Sequence, residues 1–460
     1  MSAFCGSSSP TFRSSSVRAL IATAFATIVF FSLGMQCHAA SSERVLYNFN
    51  CTSGNCNIAT QNDINFSGMI FDKAGNLYGA SVSELSSGSS CDGYACGYIF
   101  ELTPTKSGAW KEKTLYNFCS LTNCADGAVP LAGLVFDSAG NLYGTTGYGG
   151  NSVPGCNGLG CGVVFELSPG SNGTWTETVL YNFQGGQDGS LSASTLIFDP
   201  SGNLYGTTGL GGSSGYGTVF ELAADGGGKW TESLLHSFEN NGTDGNYPLG
   251  SIAFDAAGNL YGSTGGGGKY TGSDCVNGQQ GGSYCGTIYQ LAPGKNGTWT
   301  ESILHNFQDN HKDAIFPIFG VVLDAHGNVY GASGVGGKHS GGTVFELTHG
   351  KWAESILLDF KAPAGGKFPA TGCFPLGGVT LDKSGNLYGT TDLCGANDEG
   401  VVFKLSSSGK AWKESVLWTF AFNKNGYQPK GQLTLDATGN LYGLSTGGTG
   451  NAGDAFEVKP

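Results

Sequence analysis

Several things are scarce in this sequence, and each scarcity narrows the field. Beyond residue 40 no extended segment looks helical, which sets aside all-α and alternating α/β folds. Basic residues are few, 22 Lys and Arg against 35 Asp and Glu, and they form no cluster. An acidic surface repels phosphate backbones, so nucleic acid is not an expected partner. C-x2-C spacings and the His partners of a zinc site are missing. Nothing apolar follows the terminal "AFEVKP", so no membrane span is expected once the leader is gone.

That leader is residues 1–39. Arg13 and Arg18 supply a positive start, "ALIATAFATIVFFSLGM" an apolar stretch, and "CHA" before Ala40 a cleavage site, which together read as a secretory signal; the competing reading is an uncleaved anchor. Two of the fourteen cysteines, Cys5 and Cys37, leave with it. The remaining twelve fall into neighbouring pairs: Cys51–Cys56, Cys91–Cys96, Cys119–Cys124, Cys156–Cys161, Cys275–Cys285 and Cys373–Cys394. An even number in an exported chain implies disulfides.

Glycine is abundant, 79 of 460 residues, against a usual share of about 7%. It recurs in register between apolar runs, which argues for repeats rather than disorder. The block "FDSAGNLYG" at 136 has seven copies, with its Asp at 72, 137, 199, 255, 324, 382 and 436. Each unit resolves into four short strands: an apolar run such as "GLVF", then "LYGTT", then "GVVFEL", then "WTETVLYNF". The D-x-x-G-N between the first two reads as a tight hairpin. Apolarity on both faces predicts an inner, fully covered first strand.

The fourth-strand phrase occurs seven times, and its first copy, "ERVLYNF" at Glu43, has no unit before it. The last unit runs "LTLD", "LYGLS", "DAFEV" and lacks a fourth strand. The orphan therefore completes the last unit and closes a ring. The expected fold is all-β: a seven-bladed propeller of four antiparallel strands per blade, one domain over 40–460. The D-x-x-G-N turns and the third-to-fourth turns share one face. The second-to-third loops, the blade crossings and all twelve cysteines share the other, where function is expected.

The run "GLVFDSAGNLYGTTGYGG…GVVFELSPGSNGTWTETVLYNF" resembles the GloVer-type tandem repeat of secreted bacterial proteins, and the resemblance spans 43–460. It implies export, often with attachment through a varied C-terminal segment, and carries no catalytic residues. The D-x-x-G-N-x-Y hairpin also resembles NHL-type and gluconolactonase-like propellers.

Acid–base residues are absent from the entries to the first strands, "FSGMIF", "LAGLVF", "SASTLIF", "LGSIAF", "IFGVVL" and "LGGVTL"; only Lys430 and Gln432 in the seventh bring strongly polar groups there. That is poor material for a metal-held water or an acid–base pair. The seven D-x-x-G-N aspartates read as turn residues rather than calcium ligands, the repeated Glu as satisfying strand edges or neighbouring blades, and the repeated Tyr and Trp as inter-blade packing. Scattered His (236, 305, 311, 326, 339, 349) show no metal spacing and read as exposed or outer-strand residues.

The crossing acids Asp126, Asp188, Asp244 and Asp313, with Asp63 as a degenerate equivalent, are candidates for a partial ring near the axis that binds a polyhydroxyl ligand or calcium; no other cofactor is expected. Glu84, Asp92, Asp274, His339, Asp392, Asp398 and Glu399 are loop residues that could also converge. The resulting expectation is a secreted, extracellular or periplasmic, monomeric module that binds carbohydrate or protein without catalysis. The alternative is an extracellular hydrolase or lyase acting on saccharides or lactones.

Overall fold

The computed structural model describes residues 41–50, 68–82, 96–151, 156, 158, 160–272, 275, 285–409, 411–422, 426–447 and 451–460. Ser41–Pro460 form one compact unit. It holds seven four-stranded antiparallel sheets, and no α-helix occurs among the described residues. Blade 1 runs Ile70–Asn117, blade 2 Val135–Asn182, blade 3 Ile197–Ser237, blade 4 Ala253–Asn306, blade 5 Val321–Lys361 and blade 6 Val379–Thr419. Blade 7 runs Tyr427–Lys459 and takes its outer strand from Ser42–Asn50.

The closing strand pairs Ser42 with Lys459, Glu43 with Val458 and Arg44 with Glu457, then slips one residue between Val45 and Tyr47. All six internal outer strands slip at the same place, leaving Leu115, Leu180, Leu235, Leu304, Leu357 and Leu417 unpaired as Leu46 is. A one-residue bulge re-aims every side chain beyond it. Here it lets both the bulged Leu and the Phe three residues on turn inward. Those seven Phe (49, 118, 183, 238, 307, 360, 420) are all buried. Arg44 Nη2 adds an ion pair to the buried Glu457 at 2.7 Å.

Each buried Phe meets an aromatic on the third strand of the next blade, edge to face or tilted. The pairs are Phe49–Phe100, Phe118–Phe165, Phe183–Phe220, Phe238–Tyr289, Phe307–Phe345, Phe360–Phe403 and Phe420–Phe456, with centroids 4.9 to 5.3 Å apart. The tip of the third-strand ring also abuts the Gly of its own blade's "LYG". A Cβ on Gly331 would stand 2.5 Å from Phe345 Cζ, so only glycine fits. A second aromatic layer links the blades nearer the turn face. Tyr78, for example, packs against Phe136 and Trp175 of the next blade.

The second strands are the most buried layer; in blade 2 all of Leu142–Thr145 are buried. The inner strands differ from expectation. In blade 2 the ladder shrinks to Val135–Phe136, and both residues are half-buried. An innermost strand has no layer on its axial side, and the residues before it leave the ladder to contact the neighbouring blade. Gly133 N–H, for instance, donates to Thr195 Oγ1 at 3.1 Å.

The crossings and the second-to-third loops do share a face. Short antiparallel bridges join Ala128 to Tyr148, Ser190 to Leu210 and Cys373 to Leu393, and 245–246 pair with 266–267. Disulfides Cys119–Cys124, Cys156–Cys161, Cys275–Cys285 and Cys373–Cys394 staple this face. Cys96 is also disulfide-bonded; Cys51, Cys56 and Cys91 lie outside the described residues.

Gly331→Ala is expected to cost about 1–3 kcal/mol by overpacking against Phe345. Urea unfolding of Gly331→Ala, Phe345→Leu and the double variant should show the double costing less than the sum of the singles. Strict additivity would contradict the glycine–ring contact.

Candidate functional site

The seven turn aspartates act within their own hairpins. Asp137 is typical: Oδ1 accepts from Ala139 N and Asn141 N, and Oδ2 from Asn141 Nδ2 and the Tyr143 hydroxyl. With all its acceptor sites engaged, this carboxylate is a turn-builder.

The crossing aspartates sit elsewhere, against the outer strands. Asp126 is fully buried and accepts from the Tyr116 hydroxyl at 2.8 Å and from Ser120 N and Leu121 N. Asp188 accepts from the Tyr181 hydroxyl at 2.9 Å and from Gln184 N. Asp244 faces His236 Nε2 at 3.3 Å and accepts from Glu239 N and Gly245 N. Asp313 faces His305 Nε2 at 3.4 Å and accepts from Gln308 N. Each carboxylate is thus tied to the outer strand of its own blade instead of reaching toward the other three. Asp63 lies outside the described residues.

The next blade supplies the third member of each group, the repeated Glu. Burial, then Asp126, pushes the Glu177 carboxyl up to about 7. Burial, then Asp188, does the same for Glu232. Burial takes Glu301 to about 8, with His236 opposing and Asp244 adding to the rise. Burial and a hydrogen bond to Asp313 take Glu354 to about 10. Glu414 reaches about 7 through burial alone. For His236, burial favours the neutral ring, but Asp244 and Glu301 outweigh it and the pKa rises. A carboxyl that keeps its proton can share it with a neighbouring carboxylate, so these acids interlock successive blades without repelling each other.

The axial mouth on the loop face is chemically distinct. Ser251, Phe319, Leu376, Gly377, Gly431 and Gln432, from four consecutive blades, bound a recess of about 10 Å³. Gln432 Nε2 donates to Val379 O at 2.9 Å across the junction of blades 6 and 7. Lys430, half-buried two residues earlier, lies near Asp392 of the blade 6 loop. Burial pushes the Asp392 carboxyl up and Lys430 partly offsets this; Asp392 Oδ1 is buried without a hydrogen-bond partner among the described residues. Glu399 is raised by burial and then by Asp398 and Asp392. Three of the loop acids therefore converge, whereas Glu84, Asp92 and Asp274 lie outside the described residues and His339 is exposed.

One feature escaped sequence reasoning. Asp392, already a loop candidate, is also marked as a departure from the repeat, because Gly147, Gly209, Gly265 and Gly334 occupy its position in four other blades. The grouping of His236 and His305 was not legible, because each gains its third neighbour from the next blade, 65 and 49 residues on.

A family model described as the Gloeobacter/Verrucomicrobia repeat matches residues 65–275 and 272–460. No curated protein matches the chain. Among solved structures, a Bacteroides uniformis protein assigned provisionally as a 6-phosphogluconolactonase aligns at 13% identity over 80% of this chain and 89% of its own, with a TM-score of 0.47. A puromycin-hydrolyzing peptidase of Mycobacterium tuberculosis aligns at 10% identity over 85% and 51%, with a TM-score of 0.46. Likenesses of this size carry no argument about activity.

A glutamate whose pKa is raised on folding keeps a proton that the unfolded chain sheds near the ordinary value of about 4.3. Its stabilising share is therefore complete below that value and lost as pH rises through about 7 for Glu177, Glu232 and Glu414. The melting temperature should peak near about pH 5 and fall toward about pH 8. Combining Glu177→Gln, Glu232→Gln and Glu414→Gln should flatten that fall and leave the acidic value unchanged. An unaltered slope in the triple variant would contradict the assignment.

Proposed function

The chain belongs to the Gloeobacter/Verrucomicrobia repeat family, and on that premise we propose that it is an exported propeller acting as a non-catalytic binding or scaffold module. The leader-like residues 1–39 and the disulfides of the loop face support export. No helix among the described residues is long and apolar enough to cross a membrane.

The observation that carries the reading is the narrowness of the axial recess. Its volume of about 10 Å³ holds about one water, so along blades 4 to 7 the mouth offers a ligand a surface to rest on. Around the mouth, Lys430 offers a cation, Gln432 an amide and the Asp392–Glu399 group acceptors, a mixed set suited to hydroxyls or peptide groups. The ligand class is extracellular carbohydrate or protein. The four crossing aspartates, held by their own outer strands, act in this reading as framework beneath the loops.

The second reading, a hydrolase or lyase on saccharides or lactones, draws on one observation. Asp392 is a non-repeated carboxyl with a raised pKa beside a lysine, the kind of group that acid–base chemistry uses.

Pulldown on a panel of insoluble polysaccharides and immobilised extracellular proteins, followed by assay of each bound polymer for shortened products, separates the two. Binding without cleavage is expected, with Lys430→Ala and Asp392→Ala each weakening it about tenfold, or about 1.4 kcal/mol. Cleavage abolished by Asp392→Asn would establish the enzyme reading instead.

A further inference from the structure

The repeat supplies its own control for one position of the outer strand. Four residues after the repeated Glu stand Tyr47, Tyr116, Tyr181, His236, His305, Leu358 and Trp418. At Tyr116 and Tyr181 a hydroxyl donates to the crossing Asp. An imidazole at the same place presents a ring nitrogen, which is a metal ligand when neutral. His236 Nε2 lies 3.3 Å from Asp244 Oδ2 and 3.5 Å from Glu301 Oε1. His305 Nε2 lies 3.4 Å from Asp313 Oδ1 and 4.0 Å from Glu354 Oε2. In each trio one ligand atom per residue lies within 4.8 Å of the others.

These separations are informative. A charge-assisted hydrogen bond settles at about 2.7–2.9 Å. Ligands around four-coordinate zinc, each about 2.0–2.2 Å from the ion, stand roughly 3.3–3.5 Å from one another. In the first trio both separations from His236 have the second spacing. Glu301 Oε1 is moreover buried and has no hydrogen-bond partner among the described residues, while facing His236. Supports behind the ligands are in place. Glu239 N donates to Asp244 Oδ2 at 2.8 Å and Gln308 N to Asp313 Oδ2 at 3.1 Å. Each imidazole stands edge-on to a buried ring, Phe238 or Phe307, at 4.7 Å. About a fifth of each imidazole remains exposed, 20% for His236 and 19% for His305, which leaves an entry path and room for a water as fourth ligand.

We propose that the junctions of blades 3 and 4 and of blades 4 and 5 each bind one divalent transition-metal ion of the zinc class. The ligands are His236, Asp244 and Glu301 at the first, and His305, Asp313 and Glu354 at the second. One imidazole with two carboxylates suits zinc or manganese; calcium, which takes six to eight oxygens, is poorly served. The ion ties the outer strands of successive blades together on the loop face. The first junction, with the tighter separations, binds more strongly.

The test uses the purified, untagged protein stripped with chelator and titrated with zinc chloride by calorimetry, with thermal melting in parallel. Two zinc ions per chain and a rise in melting temperature are expected, one for each trio. His236→Tyr and His305→Tyr should each remove one site and the double variant both. Tyrosine is the repeat's own residue at this position, so metal-free melting should move by no more than a few degrees. Glu301→Gln and Glu354→Gln provide the same readout if a tyrosine variant fails to fold. Absence of zinc binding up to about 1 mM, or undiminished stoichiometry in the double variants, would overturn the proposal.

Discussion

One contact, a buried phenylalanine set against an aromatic of the next blade, is made seven times and sets the rest of the structure. A sheet of four short strands has little core of its own; it gains one by lending its outer Phe to its neighbour. That contact dictates the local chemistry on both sides. The outer strand bulges at its Leu so that Leu and Phe both turn inward. The "LYG" glycine vacates the space that the facing ring fills. Because the contact is sequential, it becomes complete only when the last blade finds the first. Phe49 meets Phe100, and the strand that carries Phe49 is held by Lys459 through Asp454 of blade 7. The ring closes by using Ser42–Asn50, from the N-terminal side of blade 1, as the last strand of blade 7.

The same junctions bury carboxyl groups, and their electrostatics follow from geometry. The repeated Glu cannot reach water freely and faces the crossing Asp of the preceding blade, so it holds a proton well above the usual carboxylate range. Where the outer strand offers tyrosine, the group is closed by a hydroxyl. Where it offers histidine, the group gains a ligand nitrogen. Chemistry in this protein thus lies in departures from the repeat. The two histidines are one departure, and Asp392 with Lys430 and Gln432 at the axial mouth is the other.

Architecture was legible from sequence because its determinants are local phrases. Counting copies and variants of "GNLYG" and of "ExxLYNF" was enough to find seven blades, the orphan strand and the two faces, since each phrase encodes a turn or a strand whose neighbours are adjacent in the chain. The inner strands proved shorter and more open than their apolarity suggested, because "LAGL" spends its residues on the neighbouring blade. The acids were harder. Asp126 and Asp188 were visible as crossing residues, but their partners Glu177 and Glu232 come from the next blade, and no spacing rule connects them. The histidines were set aside for the same reason. Only the ring brings His236 and Glu301 together.

The central claim is that closure by Ser42–Asn50 is an integral part of the core. Native-state hydrogen exchange measures it most directly. The account predicts that the amides of Ser42–Asn50 exchange as slowly as those of the internal outer strand Trp175–Asn182, through the same global opening. Exchange of the closing strand at the rate of a frayed terminus, with Trp175–Asn182 still protected, would contradict it.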